Sequence, residues 1–138
     1  MLRHSLRTGE TVTVGVLDLD RFKVFNDTRG HQAGDALLAA CARQWRDRLR
    51  VGDVLARYGG EEFVVLLPGA DAAEAAVVLG RLQEGMPEGQ SFSAGVATWD
   101  RAEEPHEVLR RADQALYRAK AAGRRRVEAA EAVPALVG

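Results

Sequence analysis

The sequence predicts an α+β fold of the ferredoxin-like βαββαβ type, a mainly antiparallel sheet with helices packed on it. Three observations carry this prediction. Apolar residues alternate with a period of two in Thr11–Asp18, in the paired runs Val54–Tyr58 and Glu61–Leu67, and in Ser91–Thr98. Stripes of helical period separate them, in Asp35–Arg48 and Ala72–Glu84. The resulting order is strand, helix, strand, strand, helix, strand, followed by an extra C-terminal helix and a short strand.

Taken in order, residues 1–8 read as the last turn of a helix that lacks its beginning, and Gly9-Glu10 as a turn. Val12, Val14 and Val16 share one face of the first strand, and that face ends on Asp18. Asp20–Asp27 is a short helical segment with Phe22 and Phe25 three apart; Thr28–Gly34 reads as a loop. Asp35 opens the long helix, whose stripe is Leu38, Cys41, Trp45 and Leu49, and Gly52-Asp53 breaks it. Gly59-Gly60 predicts a two-residue hairpin turn in which glycine supplies positive φ. Asp71 caps the next helix, which carries Ala75, Val78, Leu79 and Leu82 inward. Gly85, Pro87 and Gly89 form a loop before the strand bearing Phe92, Ala94 and Val96. Pro105 opens the last helix, with Val108, Leu109, Ala112, Ala115, Leu116 and Ala119 as its apolar stripe, and Gly123 stops it. Arg125–Glu128 fits a short edge strand, and residues 129–138 a flexible tail.

The chain of 138 residues fits a single domain spanning 1–138. A hydrophobic content of 46% is enough for an ordinary core. The net charge of −1 excludes a general field for polyanions, so no nucleic acid is expected as a partner, and phosphate binding must come from placed Lys and Arg. The single cysteine, Cys41, excludes an internal disulfide framework and reads as a core residue. No apolar run approaches the ~18 residues of a membrane span, and Met1-Leu2-Arg3-His4 lacks the apolar stretch of a signal peptide. A cytoplasmic location is expected.

In the ferredoxin-like layout the first strand lies antiparallel beside the third, so Asp18 and Glu61 meet at one end of the sheet. Two carboxylates there, with the Leu19 carbonyl and Glu62 at hand, suit divalent cations that also take phosphate oxygens. Lys23 is the nearest cation, as a phosphate ligand or a solvated surface lysine. Lys120 and Arg124, four apart at the end of the last helix, either grip a polyphosphate or complement the helix C-terminus. Asn26 and Asp35 suit the Watson–Crick edge of guanine, although the position of Asp35 also fits a helix cap; His31 lies in the same loop. Arg50 and Asp53 read as a surface ion pair.

Together these residues resemble the GGDEF-domain diguanylate cyclases, from about Val12 to Val127. Leu17-Asp18-Leu19-Asp20-Arg21-Phe22-Lys23 is similar to that family's metal-binding strand end. Asn26-Asp27, Gly30-His31 and Gly34-Asp35 are similar to its guanine loop, and Arg57-Tyr58-Gly59-Gly60-Glu61-Glu62-Phe63 to its signature in the GGEEF form. Asp113, Ala115-Leu116-Tyr117, Ala119-Lys120 and Gly123-Arg124 resemble its C-terminal motif. Four motifs in the right order are a specific signal.

The resemblance implies a nucleotide-cyclase or polymerase palm type of sheet, and condensation of two GTP into cyclic di-GMP and two pyrophosphates across a homodimer. It implies two Mg²⁺ (or Mn²⁺) per active site at Asp18, the Leu19 carbonyl, Glu61 and Glu62, with Glu61 and Lys23 catalytic. Phe22, Asn26, His31, Asp35, Gly59, Gly60, Lys120 and Arg124 would bind substrate. Arg50 and Asp53 form an RxxD of the kind that binds the product as inhibitor. An alternative is a weak or inactive domain that binds cyclic di-GMP or GTP. The chain departs from the family in lacking its Asp-x-Leu-Thr opening and full first helix, and in carrying Arg125 where Asn is usual. The family pattern also implies a sensor domain, N-terminal or separate, that brings two copies together.

Overall fold

Every residue of strand β1 (Val12–Leu19) is buried, as befits a central strand covered on both faces. The structure, a computed structural model, describes residues 10–87 and 89–131. The helical turn expected over residues 1–8 and the tail residues 132–138 lie outside the described residues. β1 pairs antiparallel with β3 (Glu62–Pro68) on one side and with β4 (Phe92–Thr98) on the other. Beyond β3 lies β2 (Val54–Arg57), and β5 (Val127–Ala129) joins β4 in parallel. The order β2-β3-β1-β4-β5 is the ferredoxin-like α+β sheet with one strand added.

The strand alternation splits the core in two. Leu17, Leu19, Phe63, Val65, Leu67, Phe92, Ala94 and Val96 pack under helices α2 (His31–Arg48) and α3 (Ala72–Glu84). Trp45 of α2 meets Phe63 and Phe92 edge-on at 5.0 and 5.4 Å. The short α1 (Phe22–Arg29) lays Phe22 and Phe25 on the margin of this core. On the opposite face Val14, Val16, Ala97 and Trp99 meet Val108, Ala112 and Leu116 of α4 (Pro105–Ala121). The extra helix is thus the sheet's second cover. It lies very close, because a Cβ on Gly95 would sit 2.0 Å from the Ala112 carbonyl oxygen and 2.2 Å from the Leu116 nitrogen.

Several boundaries match the sequence reading. Asp71 caps α3 through the Glu74 N–H at 2.8 Å, and the Glu74 carboxylate accepts the Asp71 N–H at 3.3 Å. Cys41 is fully buried, and burial pushes its thiol up to about 11.

Others differ. The long helix begins at His31, after Gly30 at φ 92°, so Thr28 and Arg29 belong to α1, and Asp35 lies inside α2 rather than capping it. The hairpin turn is wider than two residues. The last β2–β3 pair is Arg57 with Phe63, and the Tyr58 and Gly59 amides both donate to the Glu62 carbonyl, at 2.9 and 3.3 Å. Neither Gly59 nor Gly60 takes positive φ. The Arg57 guanidinium closes the turn on the Gly60 carbonyl at 2.6 Å. The last strand starts at Val127, two residues later than expected, and Ala130 donates to the Val96 carbonyl at 2.8 Å, so the chain stays attached past Ala129.

Candidate active site

The β1–β3 register sets Asp18 opposite Glu62, while the Leu19 amide donates to the Glu61 carbonyl at 3.3 Å. Asp18 and the glutamate pair therefore share one end of the sheet, and Glu62, rather than Glu61, is the direct cross-strand neighbour. Strand alternation turns Asp18 toward α4, and there the Lys120 ammonium donates to its Oδ2. Burial raises the Asp18 pKa above its ordinary 3.8; the bond and charge of Lys120 pull it back, and Glu61 and Asp20 push it up again. Glu62 is raised in the same way, by burial first and then by Asp18 and Asp113. One ammonium thus faces several carboxylates. Among the described residues no three ligating side chains form a ready-made metal cluster. The donors are nonetheless hard oxygens crowded by like charge, which suits a divalent cation whose remaining ligands come from phosphate and water.

Asp20, two residues on, has a different task. It is buried, and it accepts the Ser91 hydroxyl at 2.5 Å, the Ser93 hydroxyl at 2.6 Å and the Arg125 amide at 3.1 Å. A buried carboxylate is tolerated only with such partners. The bonds tie the end of β1 to β4 and to the turn after α4. Sequence reasoning gave Asp20 no role; the signal it missed is the alternating Ser91 and Ser93, two hydroxyls on one face of one strand.

Asn26 projects from α1 onto Gly34 of α2, where a Cβ would lie 1.7 Å from the Asn26 Oδ1 and 3.1 Å from the Phe22 ring. Glycine at 34 is therefore the condition for Asn26 to enter this groove. The Asn26 Oδ1 is buried without a hydrogen-bond partner. His31 and Asp35 stand one helical turn apart on the same side of α2, both exposed. Lys23 is exposed on α1, and Gly59 and Gly60 border open space.

Arg124 departs from the sequence reading. It is not on the helix with Lys120 but beyond its end, at φ 65°, with its amide bonded to the Ala119 carbonyl at 3.0 Å. Gly123, at φ 123°, ends α4 there and carries the chain sideways. At the other end of the hairpin Arg50 and Asp53 pair as expected, with the guanidinium 3.1 Å from the Asp53 Oδ1 and 3.0 Å from the Pro68 carbonyl. The hydrogen bonds that the Arg50 guanidinium donates to Asp53, and then the charge of that carboxylate, raise the Arg50 pKa.

The family model of the diguanylate cyclase GGDEF domain matches residues 1–126. The chain belongs to the GGDEF-domain family of diguanylate cyclases. This GGDEF domain is 45% identical over 138 residues to diguanylate cyclase DgcP of Pseudomonas aeruginosa, across 93% of the chain and 20% of that protein. It is 39% identical over 144 residues to probable diguanylate cyclase DgcC of Escherichia coli K12, across 94% of the chain and 39% of that protein. The chain thus spans well under half the length of these curated relatives. Among solved structures it superposes on the GGDEF domain of DgcB from Caulobacter crescentus, solved in complex with c-di-GMP. The TM-score is 0.85 at 34% identity, covering 93% of this chain and 82% of that one. The active GGEEF domain of a diguanylate cyclase from Vibrio cholerae gives a TM-score of 0.86 at 26% identity, covering 96% and 90%. In the GGDEF domain described here, no helix among the described residues is long and apolar enough to cross a membrane.

Proposed function

We propose that this GGDEF domain condenses two GTP molecules into cyclic di-GMP, releasing two pyrophosphates, with one GTP presented by each protomer of a homodimer. The single observation that carries the reading is the convergence of Asp18, Glu61 and Glu62 at one sheet end with Lys120 already at Asp18. Asp18, the Leu19 carbonyl, Glu61 and Glu62 would hold two Mg²⁺ or Mn²⁺. Such cations, when bound, neutralise phosphate charge and favour ionisation of the attacking hydroxyl.

The chain's own residues supply the rest. Glu61 takes the proton of a 3′-hydroxyl as its oxygen attacks the α-phosphorus of the other GTP; that bond forms as the bond to pyrophosphate breaks. Lys23, Lys120 and Arg124 offset phosphate charge; Lys23 and Lys120 are the only lysines in the chain. Asn26 and Asp35 offer acceptors to the guanine edge, with His31 beside them and Phe22 beneath; the partnerless Asn26 Oδ1 supports this. Gly59 and Gly60 leave space for close approach of the nucleotide. Arg50 and Asp53 would bind the product as inhibitor and bridge it to a second copy. Their pairing supports this, because the Asp53 carboxylate is buried while the guanidinium stays 56% exposed.

The test is incubation with GTP and Mg²⁺ and chromatographic separation of products. Cyclic di-GMP and pyrophosphate are expected, and Glu61→Gln should slow formation by about 10²–10⁴-fold. Turnover by that variant at the parent rate overturns the role given to Glu61. Binding of GTP without any product would favour a binding module instead.

A further inference from the structure

We propose that Lys120 is an exchangeable counter-ion: its ammonium holds Asp18 until a divalent cation takes that carboxylate, and then turns to phosphate, so that cation and nucleotide each strengthen the other's binding. The inference rests on the cyclase reading of this site and adds its regulation. It starts from a conflict. The structure pairs the Lys120 ammonium with the Asp18 Oδ2, whereas a substrate phosphate needs that same ammonium. One positive charge cannot serve both anions at full strength.

Asp18 needs a cation. Its side chain is 6% exposed, and among the described residues Lys120 is its only ion-pair partner. A carboxylate buried there with no partner would be strongly destabilising. Its neighbours sharpen the need. Glu62 stands opposite it on β3, and the charges of Glu61 and Asp20 bear on it as well. Asp113 adds a carboxylate from α4 beside Glu62, where the Lys120 charge is also felt. Neither Glu61, Glu62 nor Asp113 has an ion pair of its own among the described residues. A single ammonium therefore answers for the whole group. A divalent cation brings twice the charge to the same oxygens, but it gains only its advantage over the lysine that it displaces.

Lys120 is also placed to leave. It lies in the last turn of α4, and its side chain is 37% exposed. Water reaches the ammonium there, so this pair is screened and yields more readily than a fully buried one. The lysine head is a hydrated point charge with rotatable donors on a flexible stem, and it needs no fixed fork geometry to change partners. The carbonyl end of the helix favours a positive charge in either position. Two cations thus compete for one carboxylate. Phosphate that draws Lys120 away raises the affinity for the divalent cation, and by linkage the cation raises nucleotide affinity by the same factor. Neither ligand loads well without the other.

The experiment is Mn²⁺ binding to the full chain without nucleotide, read by electron paramagnetic resonance. Lys120→Met keeps the stem and removes the charge. It should bind Mn²⁺ about tenfold or more tightly than the parent, because a positive charge no longer opposes the ion at close range. Lys120→Arg keeps the charge and should bind no more tightly than the parent. Equal or weaker binding by Lys120→Met, or equal tightening by both variants, overturns the proposal. A second measurement uses the parent alone and decides the matter even if a variant unfolds. Lys23 and Lys120 are the only lysines, so ¹³C-lysine labelling resolves the ε-methylene of each. Mg²⁺ should move the Lys120 signal with the same midpoint as the amides of residues 18–20. A Lys120 signal that stays in place while those amides saturate overturns the exchange. Asp18→Asn separates this inference from the reading beneath it. Loss of Mn²⁺ binding there, with no gain in Lys120→Met, leaves the cation site standing and sinks the exchange. Undiminished binding by Asp18→Asn sinks both. No readout depends on turnover.

Discussion

Replacing Asp20 with alanine should destabilise the domain far more than its position at a strand end suggests. Three donors would lose their acceptor: the Ser91 hydroxyl at 2.5 Å, the Ser93 hydroxyl at 2.6 Å and the Arg125 amide at 3.1 Å. Ser93 is fully buried and cannot turn to water, so its stranded hydroxyl alone costs about 1–3 kcal/mol. Ser91 and Arg125 lie nearer the surface and add about 1–2 kcal/mol together. Removing a buried carboxylate that has no cationic partner among the described residues recovers some desolvation, which pulls the sum down to about 2–4 kcal/mol. Against a domain stability of about 5–15 kcal/mol this is a large fraction. Urea unfolding measures it, with the midpoint falling at constant slope. The double variant Asp20→Ala/Ser93→Ala should lose about 1–2 kcal/mol less than the sum of the singles, because both remove the same bond. A loss below about 1 kcal/mol, or simple additivity, would refute the account of Asp20 as the clasp between β1, β4 and the turn after α4.

Gly95→Ala should lower Tm by about 3–10 °C, since its Cβ would press on the α4 backbone 2.0 Å away; an unchanged Tm would show that α4 can lift off freely. Asp18 and Glu62 have pKa values raised above the ordinary 3.8 and 4.5, so the native state binds their protons more tightly than the unfolded chain does. Their ionisation is thus free of cost to folding below about pH 4 and costs stability as pH rises through their folded values. Mg²⁺ should accordingly raise Tm near neutrality and not below about pH 4, and Glu62→Gln should flatten the pH profile of Tm; equal cation stabilisation at both pH values argues against the site. Arg50→Ala should relieve inhibition by added cyclic di-GMP while leaving the initial rate unchanged, as read from progress curves with and without the product.

The sequence revealed the elements whose signal is local. Asp71 marked the start of α3, Pro105 marked α4, and the alternation in β1 carried Asp18 to the sheet end. It failed where the signal is absent or lies far along the chain. The opening turns of α2 expose His31, Gln32, Asp35 and Ala36, so no apolar stripe appears until Leu37, and a helix read as a loop. Glycines at 59 and 60 invited a tight turn because they tolerate positive φ, yet they do not use it; the space around them is what distinguishes them. Arg124 fell off the helical register because Gly123 turns the chain first. The partners of Asp20 lie just before β4, on β4 and beyond α4, where no local pattern reaches.

The two rims of the sheet are short: β2 has four residues and β5 three. Few backbone amides and carbonyls therefore remain open to another chain, and the broad faces are roofed by helices. A tether that holds two such domains side by side for long periods can do so without their knitting into one continuous β-ribbon. Crowding would instead bring together loops and helix flanks, the parts that can let go again.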